Sequence, residues 1–278
     1  MKIAVFGLGI IGGVWAENLH RDGHEVSRWN RSPKAVPGFN PDSRAAAASA
    51  EILFIVVADP PAVQGVLDQI LPVLKPGQIV IQSSTISPEA SKKFAEQVNA
   101  TGAAFLEAPF TGSKPAAEQR KTVYFIGGDP AVLERARPIL QSISSNVEYL
   151  GPVGTASALK LAMNVNVALV VEALCESLTI SRAAGIPDEK YFSILKLNTS
   201  HSRVADLKQP KLQSHDFAPQ FSLKHMAKDI RLALSSAGEI SLPQTQALMT
   251  LYEQGMARGW GDDDFTALMR LLGKNASE

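Results

Sequence analysis

The sequence predicts a doubly wound parallel α/β domain followed by an all-helical domain, the two joined by a long helix. Three observations predict it: short β-rich runs alternate with helix-like segments as far as residue 149, a glycine-rich turn follows the first run, and the β-rich runs stop after Gly154. A chain of 278 residues has room for about two domains, with boundaries expected at 1–154 and 155–278.

The runs 2–6, 25–29, 52–57, 79–82, 104–107 and 123–126 are too continuously apolar for burial on one face only. Ten or more residues separate them, so they belong to a parallel sheet covered by helices on both faces. The alanine-rich stretch 45–48 is expected to be helical. Segment 157–184 lacks proline and repeats Leu161, Leu169, Leu174 and Leu178 among small residues, which predicts one long helix ended by Gly185 and Pro187. Further helices are expected at 188–197, 223–237, 243–258 and 265–272. Near its middle the long helix carries Val165, Val167, Leu169, Val170 and Val171 around nearly its whole circumference. A helix apolar all round is a buried helix, so a homodimer, or a tetramer built from dimers, is expected to share a core there.

Composition narrows the function. Hydrophobic residues make up 45% and charged ones 19%, and 27 Lys and Arg balance 27 Asp and Glu. Nothing in this favours nucleic acid or an anionic membrane surface, and a small molecule or another protein is the expected partner. Lys2 ahead of the apolar stretch 3–16 imitates a signal peptide, but Gly7, Gly9, Gly12 and Gly13 would weaken a hydrophobic helix. The longest uninterrupted apolar run elsewhere, 52–58, is too short to span a bilayer, so a soluble protein is expected. Cys175, the single cysteine, reads as a core residue in a reducing, cytoplasmic setting. His20, His24, His215 and His225 show no metal-ligand spacing, and Asp262, Asp263 and Asp264 read as a turn and N-cap before the last helix, so no metal is expected.

Gly7-Leu8-Gly9-Ile10-Ile11-Gly12 fits the pattern GxGxxG. Alone the pattern is weak; here strand 2–6 precedes it and residues 13–20 can form the helix whose N-terminus faces a pyrophosphate, as in a Rossmann domain. An acidic residue at the end of the second strand would bind a free ribose 2′-hydroxyl. The end reads Trp29-Asn30-Arg31-Ser32 instead. The Arg31 guanidinium can pair with a 2′-phosphate, helped by Ser32 and Lys34, so NADPH is expected over NADH. Asn30, with Val57 and Ala58 at the end of the third run, completes the residues expected beside the dinucleotide.

Four further stretches follow in order: Ser83-Ser84-Thr85-Ile86-Ser87-Pro88; Glu107-Ala108-Pro109-Phe110-Thr111-Gly112-Ser113-Lys114-Pro115; Gly151-Pro152-Val153-Gly154 with Lys160 and Asn164; and Phe221 with Lys228-Asp229-Ile230-Arg231-Leu232-Ala233-Leu234. With the glycine turn, and over essentially the whole chain, they resemble the β-hydroxyacid dehydrogenases, which include 3-hydroxyisobutyrate dehydrogenases and the glyoxylate and succinic semialdehyde reductases. The Glu-Ala-Pro opening and Gly-Ser-Lys end look closest to that last branch. The resemblance implies that Thr85, Phe221, Lys228 and Asp229 contact the cofactor, that the stretch around Thr111, Gly112 and Ser113 binds a substrate carboxylate, and that Lys160 and Asn164 are catalytic. The sequence departs from the family at Thr111, where serine is usual, at Ser113 and Arg120, where glycines are frequent, and at Met163, where a first asparagine often stands. Ser113 and Arg120 are expected to alter loop shape and pocket charge, and so the substrate rather than the reaction.

Residue chemistry points the same way. Hydride reduction of a carbonyl creates an alkoxide that must be neutralised as the hydride arrives. The Lys160 ammonium can bond that oxygen and donate a proton, and Asn164, four residues on, shares its helix face. Thr111 with the Gly112 and Ser113 amides could hold a carboxylate and so fix the carbonyl. His201, in a polar loop, is a candidate for the pocket wall, although a loop histidine is usually only solvated. The expected substrate is a small aldehyde or oxo acid bearing a carboxylate. Two other readings use the same plan: an imine reductase, against which Lys160 counts, and a non-catalytic, cofactor-bound oligomeric scaffold, for which loss of the lysine and a basic extension would be expected.

Overall fold

The computed structural model describes residues 1–273, so the end of the span expected for the second domain lies outside the described residues. Strands β1 (Lys2–Phe6), β2 (Glu25–Trp29), β3 (Ile52–Ile55), β4 (Ile79–Gln82) and β5 (Ala104–Glu107) run parallel in the order β2-β1-β3-β4-β5. Helices α1 (Gly12–Arg21), α2 (Ser43–Ser49), α3 (Pro60–Ile70) and α4 (Pro88–Asn99) lie between them in sequence. The side chains of Asp42, Asp59 and Ser87 accept amide hydrogen bonds at the starts of α2, α3 and α4, which is where such residues stabilise a helix most.

Alternate strand residues enter two cores. Ile3 and Val5 of β1 and Ile52 and Phe54 of β3 pack with Trp15 and Leu19, whereas Ala4, Phe6, Leu53 and Ile55 pack with Val63, Leu67 and Phe94. Burial on both faces makes these runs continuously apolar. The chain passes from β1 to β2 on one side and returns to β3 on the other, so the crevice outside the carboxyl ends of β1 and β3 is the switch point where such sheets bind ligands.

Beyond β5 the sheet is mixed. β6 (Phe110–Thr111), α5 (Lys114–Glu118), β7 (Val123–Gly128), α6 (Pro130–Ser142) and β8 (Asn146–Gly151) follow, with β7 antiparallel to β5 and β6 and parallel to β8. The sheet is thus parallel-dominated, and β6 and β8 add to the runs expected from sequence. β8 exposes Asn146, Glu148 and Tyr149, so it lacks the apolar signature of a covered strand.

The chain divides into two compact units, 1–161 and from 162 onward, within α7 (Thr155–Ala183). By length and mean hydropathy, 1.6 in its most apolar window, α7 could cross a bilayer; a search for uninterrupted apolar runs passes over it because Asn164, Asn166 and Glu172 intervene. In the second unit it packs on α8 (Asp188–Leu195), α9 (Arg203–Ser214), α10 (Leu223–Ser236), α11 (Pro243–Ala257) and a 3-10 stretch, Phe265–Leu271, through Ala168, Val171, Leu174, Cys175 and Leu178. Val165, Val167 and Leu169 are partly buried and Met163 and Ile180 are exposed, so within one chain the helix is covered on one side only. α9 is absent from the sequence expectation because Pro210 interrupts its pattern, and the stretch expected as a helix at 265–272 is 3-10.

Asp264 does cap that stretch, accepting from the Thr266 amide, and it does more. Fully buried, it also receives the Lys208 ammonium at 2.9 Å on both oxygens, together with the Gln220 and Phe221 amides and the Thr266 hydroxyl. Burial pulls the Lys208 ammonium below its ordinary value and Asp264 opposes that pull.

Candidate functional site

The glycine turn has the shape its sequence implies. Gly7 has φ +102°, and a Cβ there would lie 2.1 Å from the Val56 carbonyl oxygen; a Cβ at Gly12 would lie 2.0 Å from that of Gly7, where α1 meets β1. At Gly9 a Cβ would meet no protein atom, so the space before the α1 N-terminus is open. That combination fits a pyrophosphate: two glycines close the turn and the middle one leaves room for phosphate oxygens. The turn is clasped from β2, since the Asn30 side-chain oxygen accepts from the Leu8 amide at 3.0 Å and the Lys34 ammonium donates to the Leu8 carbonyl at 2.8 Å. The Asn30 amide nitrogen donates to the Ser32 carbonyl at 2.8 Å. Both groups of Asn30 therefore shape the loop, and Lys34 is engaged there as well. Arg31 and Ser32 are exposed just beyond.

The carboxyl ends of β3 and β4 are tied together. The Val57 amide donates to the Ser84 hydroxyl at 2.8 Å, and the Gln82 side chain accepts from the Ser84 amide and donates to the Ser84 carbonyl. Val57, Ala58 and Thr85 thus stand at adjacent strand ends. Thr111 ends β6, paired with Val123, and the next residue, Gly112, has φ +126°, where a Cβ would crowd Thr122 and Ala116 at 3.0–3.1 Å. Ser113 then precedes α5.

Arg120 differs from expectation. Its guanidinium donates to both oxygens of Asp22 at 2.7–2.8 Å and to the Ser142 carbonyl at 2.8 Å. Its charge answers Asp22, whose carboxyl it holds below the usual value, rather than a pocket. Its φ of +57° explains why glycine suits this position in the family.

Lys160 and Asn164 stand one turn apart on α7. The start of that helix is held by a residue that sequence reading missed in this role. Glu107, wholly buried at the end of β5, accepts from the amides of Gly154, Ala156 and Ser157 at 2.6–3.1 Å and from the Ser157 hydroxyl at 3.0 Å. These partners lie some fifty residues ahead in sequence, so no local pattern marks them.

In the second unit, the Asn164 side-chain nitrogen donates to Asp229 at 2.6 Å, and the Lys228 ammonium lies 2.9 Å from the other Asp229 oxygen. The Phe221 amide is held by Asp264, and its ring sits 6.2 Å from those of His225 and Phe265. His201 pairs locally, its Nε2 2.8 Å from Asp206. No cluster of metal-ligating side chains occurs among the described residues.

The chain is similar to known proteins over its whole length. Residues 2–151 match the family described as the NAD binding domain of 6-phosphogluconate dehydrogenase, and residues 154–272 that described as the NAD-binding domain of NADP-dependent 3-hydroxyisobutyrate dehydrogenase. The 2-hydroxy-3-oxopropionate reductase of Escherichia coli K12 is 31% identical, the match covering 98% of this chain and 97% of that one. Glyoxylate/succinic semialdehyde reductase 1 of Arabidopsis thaliana is 30% identical over 98% of each. The 3-hydroxyisobutyrate dehydrogenase of Mycobacterium tuberculosis shares the fold, with a TM-score of 0.89 at 24% identity over 98% of this chain and 99% of that one. With both parts of the chain matched and full-length relatives at this identity, the chain belongs to the NAD(P)-dependent hydroxyacid dehydrogenases and reductases related to 3-hydroxyisobutyrate dehydrogenase, and is an oxidoreductase.

Proposed function

We propose that this enzyme uses NADPH to reduce a small carboxylate-bearing aldehyde or oxo acid, of the class of glyoxylate and succinic semialdehyde, with Lys160 as the proton donor. One observation carries the reading. A single compact unit contains an open glycine turn, the tied ends of β3 and β4, the Thr111-Gly112-Ser113 loop and the lysine of α7.

NADPH held at the glycine turn and by Arg31 would supply the hydride for the carbonyl carbon. The protein supplies the rest. The Thr111 hydroxyl and the amides of Gly112 and Ser113 bind the carboxylate and hold the carbonyl in place. The Lys160 ammonium donates a hydrogen bond to the carbonyl oxygen and passes its proton as negative charge develops there. In the reverse direction the neutral amine takes the hydroxyl proton. Asn164, held by Asp229, supports the lysine's helix face. Arg31, exposed at the end of β2 with no carboxylate beside it in sequence, supports NADPH over NADH through a pair with the 2′-phosphate.

The test is NADPH oxidation over glyoxylate, succinic semialdehyde, methylmalonate semialdehyde, tartronate semialdehyde and cyclic imines. Turnover confined to carboxylate-bearing aldehydes and oxo acids supports the reading. Turnover of imines alone replaces it with imine reduction.

A further inference from the structure

We infer that Glu107 is a positioning residue for Lys160, its buried carboxylate fixing the first turn of α7 to the strand that leads into the Thr111 loop. The inference rests on the proposed role of Lys160 and adds the means by which the lysine is held.

A helix ordinarily satisfies its first amides with the side chain of its own N-cap residue. The residue before α7 is Gly154, which has no side chain and sits at φ +103°. The acceptor comes instead from β5. Both Glu107 oxygens point at donors, four groups from Gly154, Ala156 and Ser157, so the side chain acts as an acceptor on both oxygens. The structure makes room for it. Glu107 pairs across the sheet with Gly127, which pairs in turn with Gly151, and a Cβ at Gly127 would lie 2.6 Å from the Glu107 carboxylate. A side chain at Gly127 would therefore displace this carboxylate.

Lys160 follows Ala156 by one turn, and helical side chains lean toward the N-terminus, so the lysine stem lies over the turn that Glu107 holds. In the other direction only Ala108, Pro109 and Phe110 separate Glu107 from Thr111. One carboxylate therefore sets the proton donor and the carboxylate-holding loop in register. A misplacement of about 1 Å in such a register costs about 10²-fold in rate.

Glu107→Gln keeps the size of the side chain but turns an amide NH₂ toward backbone donors. It is expected to lower kcat about 10²-fold while NADPH still binds, and to cost no more than about threefold when Lys160 is already alanine, because the two residues act as a unit. Glu107→Asp, which keeps the charge, should recover part of the loss. A Glu107→Gln enzyme with wild-type kcat, or one whose loss is undiminished in the Lys160→Ala background, overturns the inference. If Glu107→Gln does not fold, Ser157→Ala, which removes one of the four donors, carries the same cycle with an expected loss of about fivefold; an unchanged kcat there counts against it. If none of the trial substrates is reduced, the proposed function fails separately. The pH profile of Lys160 acylation by an amine-directed reagent then decides: it should differ between wild type and the Glu107 or Ser157 variant, and identical profiles overturn the positioning role.

Discussion

Glu172 is expected to give the second unit a pH-dependent stability. It lies on the buried side of α7, one carboxylate oxygen has no hydrogen-bond partner among the described residues, and Glu176 stands one turn on. Burial first, and the Glu176 charge second, raise its pKa from 4.5 to about 7, and its neighbours Cys175 and Tyr252, both buried, have their own values pushed up. A raised acid favours the folded state while it is protonated. The folded protein then binds more protons than the unfolded chain between pH 4.5 and about 7, so stability is full below that window and falls as pH rises through it. The gap corresponds to about 3 kcal/mol at most. Glu172→Gln removes the titration and keeps the shape. Chemical denaturation of both proteins across this range should show the variant gaining on the wild type by about 2–3 kcal/mol as pH rises to 8. Parallel stability curves would refute the reasoning, since they would mean that Glu172 ionises in the folded state as it does in the unfolded chain.

Three further outcomes are expected. Arg31→Ala should weaken NADPH by about 1.5–3 kcal/mol and leave NADH nearly untouched in a binding titration; equal losses would mean that Arg31 serves only the loop. Lys160→Ala should lower turnover about 10²–10⁴-fold with cofactor binding intact, and Asn164→Ala should act the same way more weakly; near wild-type kcat in a folded Lys160 variant would sink the mechanism. Sedimentation at micromolar concentration should find at least two chains per particle, because Ala162, Met163, Ala173 and Ile180 leave one side of α7 uncovered; an active monomer would contradict this.

Legibility in the sequence followed the range of the forces involved. β1, β3 and β4 could be read because every residue of these strands except Lys2 is buried, and the glycine turn because its three glycines fall within six residues, although the atoms that exclude a Cβ at Gly7 belong to Val56 and Val57. β8 was not legible, as half of it faces outward, nor was α9, as Pro210 and its polar residues hide the helical period. Asn30 was read for the carboxylate it lacks; its clasp on Leu8 depends on a fold that brings β2 beside the turn. Arg120 looked like pocket charge until Asp22, ninety-eight positions earlier, was placed against it. Glu107 was visible only as the first letter of a motif, because three more strands separate it from its partners in sequence.

The Lys208–Asp264 pair has a consequence for how this chain can drift over generations. Asp264 also holds the backbone of Gln220 and Phe221, so neither member of the pair can be exchanged alone without stranding a charge in the core, a change that costs about 3–5 kcal/mol. That is a large fraction of what separates a folded domain from an unfolded one. A joint exchange, Lys208→Met with Asp264→Asn, leaves no stranded charge and keeps an acceptor for those two amides, at the smaller cost of turning the asparagine NH₂ toward the Thr266 amide. The two sites should therefore be frozen to single steps and open to a paired one, a barrier in sequence space set by the interior of the helical unit and not by catalysis.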